Sequence, residues 1–169
     1  PCAVTAPAIA LPIAQALVVE MGGEPFEVSE EDRGVYHAAL NHGANFLAAV
    51  VSQAKQVLTT VGIEDPGTFL RPLCEAALDR ALRAGDRGVS GPIPRGDVGT
   101  IREHLSVLEI KAKEENLAGE GQWAHRLEDA RSTYAAMTLH TVHLLEFEGR
   151  ISSQVASEIR AAVREMGEK

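Results

Sequence analysis

The stretch Ser29–Gly62, SEEDRGVYHAALNHGANFLAAVVSQAKQVLTTVG, decides the fold class. It opens on Ser29 followed by Glu30, Glu31 and Asp32, a capping hydroxyl and early carboxylates that complement the free N–H groups and positive end of a helix. Tyr36, Leu40, Leu47, Val50, Val51, Ala54, Leu58 and Val61 then fall on one broad face at helical spacing, and Gly62 stops the pattern. The spacing predicts one helix over residues 29–61, long enough to be central and to pack its apolar face hard against neighbours.

Upstream the character differs. Cys2 to Thr5 is a short apolar run compatible with a strand, and Pro7 to Met21 is a helical pattern with proline near its start and Gly22-Gly23 at its end. Glu24 to Val28 reads as a second strand. A strand, a helix and a strand in so few residues imply one βαβ unit, and two strands do not make a stable sheet alone. The remaining strands are expected upstream or from a partner chain. The chain opens on Pro1 without the basic region of a secretory leader, and is read as cut from something longer.

Downstream everything reads as helix. Asp65-Pro66 opens a helix reaching about Ala84, closed by Gly85, and residues 86–96, rich in glycine and proline, form a loop. Asp97 caps a helix to about Lys113. A polar stretch, 114–121, precedes a helix around 125–147, and a last helix covers roughly 152–166. The expected organisation is residues 1–28 as a βαβ remnant of a larger domain, which the family resemblance given below makes Rossmann-like, and 29–169 as a mainly α helical domain.

Composition narrows the function. The net charge of −8 and pI near 5.2 would repel a phosphate backbone, and no basic stripe with interleaved aromatics offsets this, so nucleic acid is not an expected partner. No uninterrupted apolar run of about 18 residues occurs, so no membrane span is expected. Cys2 and Cys74 lie far apart with no metal-ligand spacing, the cysteine usage expected of a cytoplasmic chain without a structural zinc.

Two constellations could carry chemistry. In YHAALNHGANFL, Tyr36–Leu47, the side chains of His37, Asn41 and Asn45 recur every fourth residue, making a polar stripe, with Gly43, Ala44, Ala48 and Ala49 leaving room nearby. The same pattern equally fits a helix-packing seam with the polar groups satisfied by carbonyls. In SGPIPRGDVGT, Ser90–Thr100, prolines stiffen a loop and Arg95 stands just before the helix opened by Asp97. Backbone donors, the dipole and a guanidinium together favour a carboxylate or phosphate there; a rigid turn with Arg95 paired to an acid is the competing reading. His140 and His143 could share a metal, but no third ligand is identifiable. Gly85, Gly88 and Gly91 do not form a nucleotide cradle. No nucleophile elbow or Cys/His dyad favours a hydrolase.

Together YHAALNHGANFL, GIEDPGTFLRPL and SGPIPRGDVGTIREHL, within about Ala3 to Leu108, resemble oxidoreductases that join a Rossmann-like domain to a helical C-terminal domain of unknown function, relatives of ketopantoate reductase and the 6-phosphogluconate dehydrogenase superfamily. The resemblance implies NADP or NAD as cofactor and reduction of a small 2-oxo acid, with a homodimer as the expected assembly. In such enzymes substrate lies in the cleft between domains and polar residues of a long helix face the nicotinamide. The matching positions are His37, Asn41 and Asn45: Asn45 to hydrogen-bond the substrate oxygen, His37 to supply or orient the proton. Ser90, Gly91, Arg95, Gly96 and Asp97 are the expected carboxylate-binding set. The glycine loop that cradles phosphates has no match here, so the chain alone is expected to be inactive. The lysine that several relatives place on the long helix has none either, and His37 occupies that region. The rival expectation is a non-catalytic helical module that mediates dimerisation.

Overall fold

A computed structural model describes residues 1–167. The chain divides into two compact units, Pro1–Ala49 and Val50–Lys169.

In the first unit, β1 (Cys2–Val4) and β2 (Pro25–Glu27) pair in parallel, with Ala3 opposite Phe26, and α1 (Leu11–Glu20) connects them. The βαβ unit read from the sequence is present. The helix begins later than the sequence pattern, because Pro7–Ala10 forms a turn in which the Ala10 and Leu11 N–H groups both bond the Pro7 carbonyl. It ends where Gly22 takes φ +79° and the Gly23 N–H returns to the Val18 carbonyl at 2.9 Å, a left-handed stop that glycine permits. Val4, Val18 and Val28 are buried as the unit's small core.

The helix expected over 29–61 differs in three respects. It starts at Arg33, because the Ser29 hydroxyl accepts the Asp32 N–H at 3.0 Å and donates to the Asp32 carboxylate, which closes a local turn in place of a first helical turn. It is interrupted: α2 (Arg33–Asn41) is followed by a π-helical segment, His42–Phe46, before α3 (Leu47–Thr60). Its apolar face is not packed hard against neighbours, since Tyr36, Leu40, Leu47, Val50 and Val61 are exposed and Val51, Ala54 and Leu58 only half-buried. Periodicity establishes a face but not what covers it.

The core lies instead among α5 (Val98–Leu117), α6 (Gly121–Phe147) and α7 (Ser153–Gly167), where Ile101, Leu105, Leu127, Val142, Leu145 and Ile159 are the largest fully buried side chains. Alanines 112, 124, 130, 156 and 162 are buried too, and small residues let helix axes approach closely. The link between α6 and α7 turns on Gly149 at φ +66°, with the Arg150 N–H on the Leu145 carbonyl.

Two helices open on the same device. Asp65 before α4 (Pro66–Ala84) accepts the Thr68 N–H and hydroxyl, and Asp97 before α5 accepts the Thr100 N–H at 3.0 Å and hydroxyl at 2.7 Å. The residues between them, read as loop, hold two short 3₁₀ turns, Gly85–Gly88 and Ile93–Arg95. The first and last residues of the segment 86–89 are tied to the Arg150 guanidinium, which donates to the Asp86 and Val89 carbonyls. Among the described residues no helix is long and apolar enough to cross a membrane.

Candidate functional site

Parallel strands carry ligands beyond their carboxyl ends, where the peptide dipoles and the following turns leave a concavity. The first unit has such a place. Thr5 and Val28, the residues just past β1 and β2, share a hydrogen bond from the Thr5 hydroxyl to the Val28 carbonyl at 2.7 Å. They form one wall of a cavity of about 740 Å³ whose other side is the first part of α2, with Arg33, Gly34, Tyr36 and His37, and Glu30 at the edge. That volume falls in the range of small-molecule sites. Its one fixed cation, Arg33, is exposed and paired with Glu30 at 3.1 Å, so an incoming anion competes with a solvated carboxylate and not with a buried one.

Of the polar stripe, His37 faces this cavity. Asn41 and Asn45 stand at the π segment, and the Asn45 amide NH₂ donates to the Asn41 side-chain oxygen. Each amide steadies the other, and the pair keeps an acceptor on Asn45 and a donor on Asn41 for a further partner. A π segment inside an α-helix is frequently found at functional sites, because the extra residue re-aims side chains at a local cost in hydrogen bonding. Here its ring-bearing members, His42 and Phe46, meet edge to face with centroids 5.3 Å apart.

Ser90, Gly91, Arg95, Gly96 and Asp97 lie in the second unit, on the loop that enters α5. Gly96 is left-handed at φ +66°, and a Cβ there would stand 3.2 Å from Val155 Cγ1, so conformation and packing both require glycine. Arg95 is exposed and takes part in none of the ion pairs among the described residues. Asp97 is committed to capping. Its bonds from the Thr100 hydroxyl and N–H hold its carboxyl below the ordinary value near 3.8, with smaller help from Arg95 and His104. A neighbouring hydrogen bond links Tyr134 to His104 Nδ1 at 2.9 Å, and burial pushes the Tyr134 hydroxyl up.

The depressed Asp97 value fixes a sign. The ionised cap stabilises the fold above the carboxyl's ordinary value and that contribution is lost as pH falls through the depressed one. Below about pH 4 the thermal midpoint of the native chain is therefore expected to fall more steeply than that of Asp97→Asn, which cannot titrate. Melting curves across pH 2–6, as an order-of-magnitude window around ordinary carboxyl values, check this; parallel profiles would sink the assignment.

Arg33, Tyr36 and Glu30 were not read as site residues: the pattern placed Glu30 at a helix start and Tyr36 on the apolar face, and did not mark Arg33. The signal for them was positional: the first turn after the second strand of a βαβ unit. Arg33 follows an acidic run and reads as part of a solvated helix start.

A βαβ unit joined to a helical domain built on α5, α6 and α7, with a concavity at the strand ends, defines a mainly α protein carrying a fragment of parallel sheet. The chain belongs to the family described as Domain of unknown function (DUF2520), whose model matches residues 1–141. No curated protein and no solved structure matches it.

Proposed function

We propose that this chain is the helical portion of a nicotinamide-dependent oxidoreductase that reduces a small 2-oxo acid, as ketopantoate reductase does, in the cytoplasm. The observation that carries the proposal is the cavity at the carboxyl ends of β1 and β2, with Arg33 and His37 on its α2 wall. A parallel pair needs further strands for stability, and an adjoining Rossmann-like sheet would supply them.

The dinucleotide itself does not fit the described residues. The turn from β1 into α1 contains Pro7 and no glycine, and the first left-handed residue of the chain is Gly22, so no backbone cradle for a pyrophosphate forms there. NADP or NAD, which would supply the hydride, is held elsewhere in the proposed enzyme. The present residues act on the oxo acid. His37 donates the proton that the carbonyl oxygen gains on reduction, and Asn41 and Asn45 hold that oxygen through their amide N–H groups. Ser90, Gly91, Arg95, Gly96 and Asp97 remain the carboxylate-binding set that the family resemblance implies, with Asp97 in a positioning role through its cap.

The experiment is NADPH and NADH oxidation at about 340 nm by the intact polypeptide against a panel of 2-oxo acids that includes ketopantoate, with a tenfold loss as the threshold for a contributing residue. Turnover establishes the reading. No turnover and no binding of either nucleotide refutes it.

A specific observation favours a second reading, a module for homodimer formation. Phe69 and Leu73, one turn apart on the same face of α4, are 63 % and 68 % exposed, an apolar pair that a second copy would cover. Sedimentation velocity over a concentration series tests it, with Leu73→Asp expected to give the monomer.

A further inference from the structure

We infer that Arg95 and His104 form a two-donor site on the second unit for the carboxylate of a small organic acid, with Tyr134 as the residue that positions His104. The inference deepens the carboxylate role given to the Arg95 loop and rests on that reading, but not on the hydride step. Three elements build the site: the 3₁₀ turn Ile93–Arg95, α5, and α6, against which the turn packs. Pro92 and Pro94 stiffen the turn, and Gly96 fixes its exit against Val155. Arg95 thus stands exposed on a rigid support, and its guanidinium enters no ion pair among the described residues. Asp97, the acid beside it, has both carboxylate oxygens engaged by Thr100.

His104 follows Asp97 by two turns of α5, so it returns to nearly the same face about 10.5 Å along the axis. Side chains on a helix lean back toward its start, which tilts the ring toward the Arg95 end. The Asp97 carboxylate lies within electrostatic reach of both Arg95 and His104. The ring is oriented from α6: the Tyr134 hydroxyl is 2.9 Å from His104 Nδ1, and the two rings meet edge to face with centroids 5.6 Å apart. Behind the phenol stands Thr138, only 3 % exposed, whose hydroxyl bonds the phenol oxygen. Burial keeps the phenol protonated. It therefore accepts from Thr138 and gives its one proton to Nδ1. With Nδ1 an acceptor, the neutral ring carries its own proton on Nε2. That N–H has no partner among the described residues.

A guanidinium and an imidazole N–H are two donors for the two oxygens of a carboxylate. Charge selects the class. Arg95 and the ionised Asp97 cancel, so a monoanion meets one directed cation and one neutral donor, whereas a phosphate dianion adds a second charge beside Asp97. A Tyr134–His104 contact that only joined α5 to α6 would leave the ring indifferent to ligand.

The test reads the ring nitrogens of histidine-labelled intact chain by ¹⁵N NMR at about pH 8, above the ordinary imidazole range, with His104 assigned through His104→Gln. Without ligand, His104 is expected as the Nε2–H tautomer. Pyruvate, added without nucleotide, is expected to shift Nε2 saturably, and pyruvamide, of similar shape without the charge, to bind at least tenfold more weakly. Arg95→Ala, at an exposed position, should weaken pyruvate at least tenfold with the tautomer intact. Tyr134→Phe should mix the tautomers and weaken pyruvate about fivefold, with far-UV circular dichroism unchanged. Mixed tautomers in the native chain, a tautomer unmoved by Tyr134→Phe, no saturable shift, or equal shifts in native and Arg95→Ala chains each overturn the inference. Turnover of 2-oxo acids with His104 silent would leave the reductase standing and remove this site. A saturable response without turnover would do the reverse.

Discussion

Leu145→Ala is expected to destabilise the chain by about 2–5 kcal/mol, the range for a leucine removed from a core that does not collapse around the gap. Leu145 is fully buried on α6 in the cluster that includes Ile101, Leu105, Val142, Ala156 and Ile159. These side chains come from three helices, each with at least one end fixed. Asp97 caps α5, the Gly149 turn joins α6 to α7, and the Val155 N–H bonds the Ser152 hydroxyl at the start of α7. A cavity at their centre has few ways to close. Against a total stability of about 5–15 kcal/mol for a domain, the loss is a large share. Differential scanning calorimetry should show the midpoint lowered by roughly 5–15 °C. Leu82→Ala, on the exposed face of α4, serves as the control and is expected to stay within about 0.5 kcal/mol of the native chain under conditions where it is monomeric. Equal effects from the two substitutions would mean that the core is not where α5, α6 and α7 meet.

That core was only partly legible. The helices themselves were, because aspartate before a helix with threonine three residues on, and glycine just past its end, are local devices that act whatever surrounds them. Asp65, Asp97, Gly62 and Gly85 all mark real boundaries. The βαβ unit was legible for the same reason, as alternation of short runs with glycine and proline between them. Which helices pack together depends on long-range contacts. The apolar face of Tyr36 to Val61 looked like the centre because it recurs at helical spacing over a long stretch, whereas in the true core the large residues are interleaved with buried alanines at 124, 130, 156 and 162, which carry little weight in a hydrophobic pattern. The π segment at 42–46 has no signature in its residues beyond Gly43 and Ala44. Without it the stripe of His37, Asn41 and Asn45 reads as a plain helical face; with it, two of the three side chains bond one another. At the strand ends, His37 was legible as a chemical residue, and Arg33 was not, because its place beside Thr5 and Val28 arises only when the two strands pair.

The largest functional effects are expected from Asn45 and Arg95, and they should differ in kind. In the proposed enzyme Asn45→Ala removes the amide NH₂ that holds the Asn41 side chain in place for its own NH₂ to donate to the substrate, so charge developing on the substrate oxygen loses its fixed donor. The loss falls on the transition state, and kcat should drop at least tenfold, about 1.4 kcal/mol, with KM little changed. Asn45→Gln, which keeps the amide on a longer stem, should recover only part of it, because placement matters to fractions of an ångström in such contacts. Arg95→Ala removes a cation that contributes equally to ground state and transition state when it binds a carboxylate. KM should rise at least tenfold with kcat retained, and Arg95→Lys should recover part of the affinity but not the bidentate geometry. An aldehyde substrate without a carboxylate separates the cases: its turnover should be insensitive to Arg95→Ala and still fall in Asn45→Ala. Steady-state kinetics on the intact polypeptide, with circular dichroism to confirm that each variant is folded, reads all of this out. A fall in kcat from Arg95→Ala on both substrates alike would assign the loop from Ser90 to Asp97 to holding the fold, as the Gly96 contact with Val155 already does, and remove it from substrate binding.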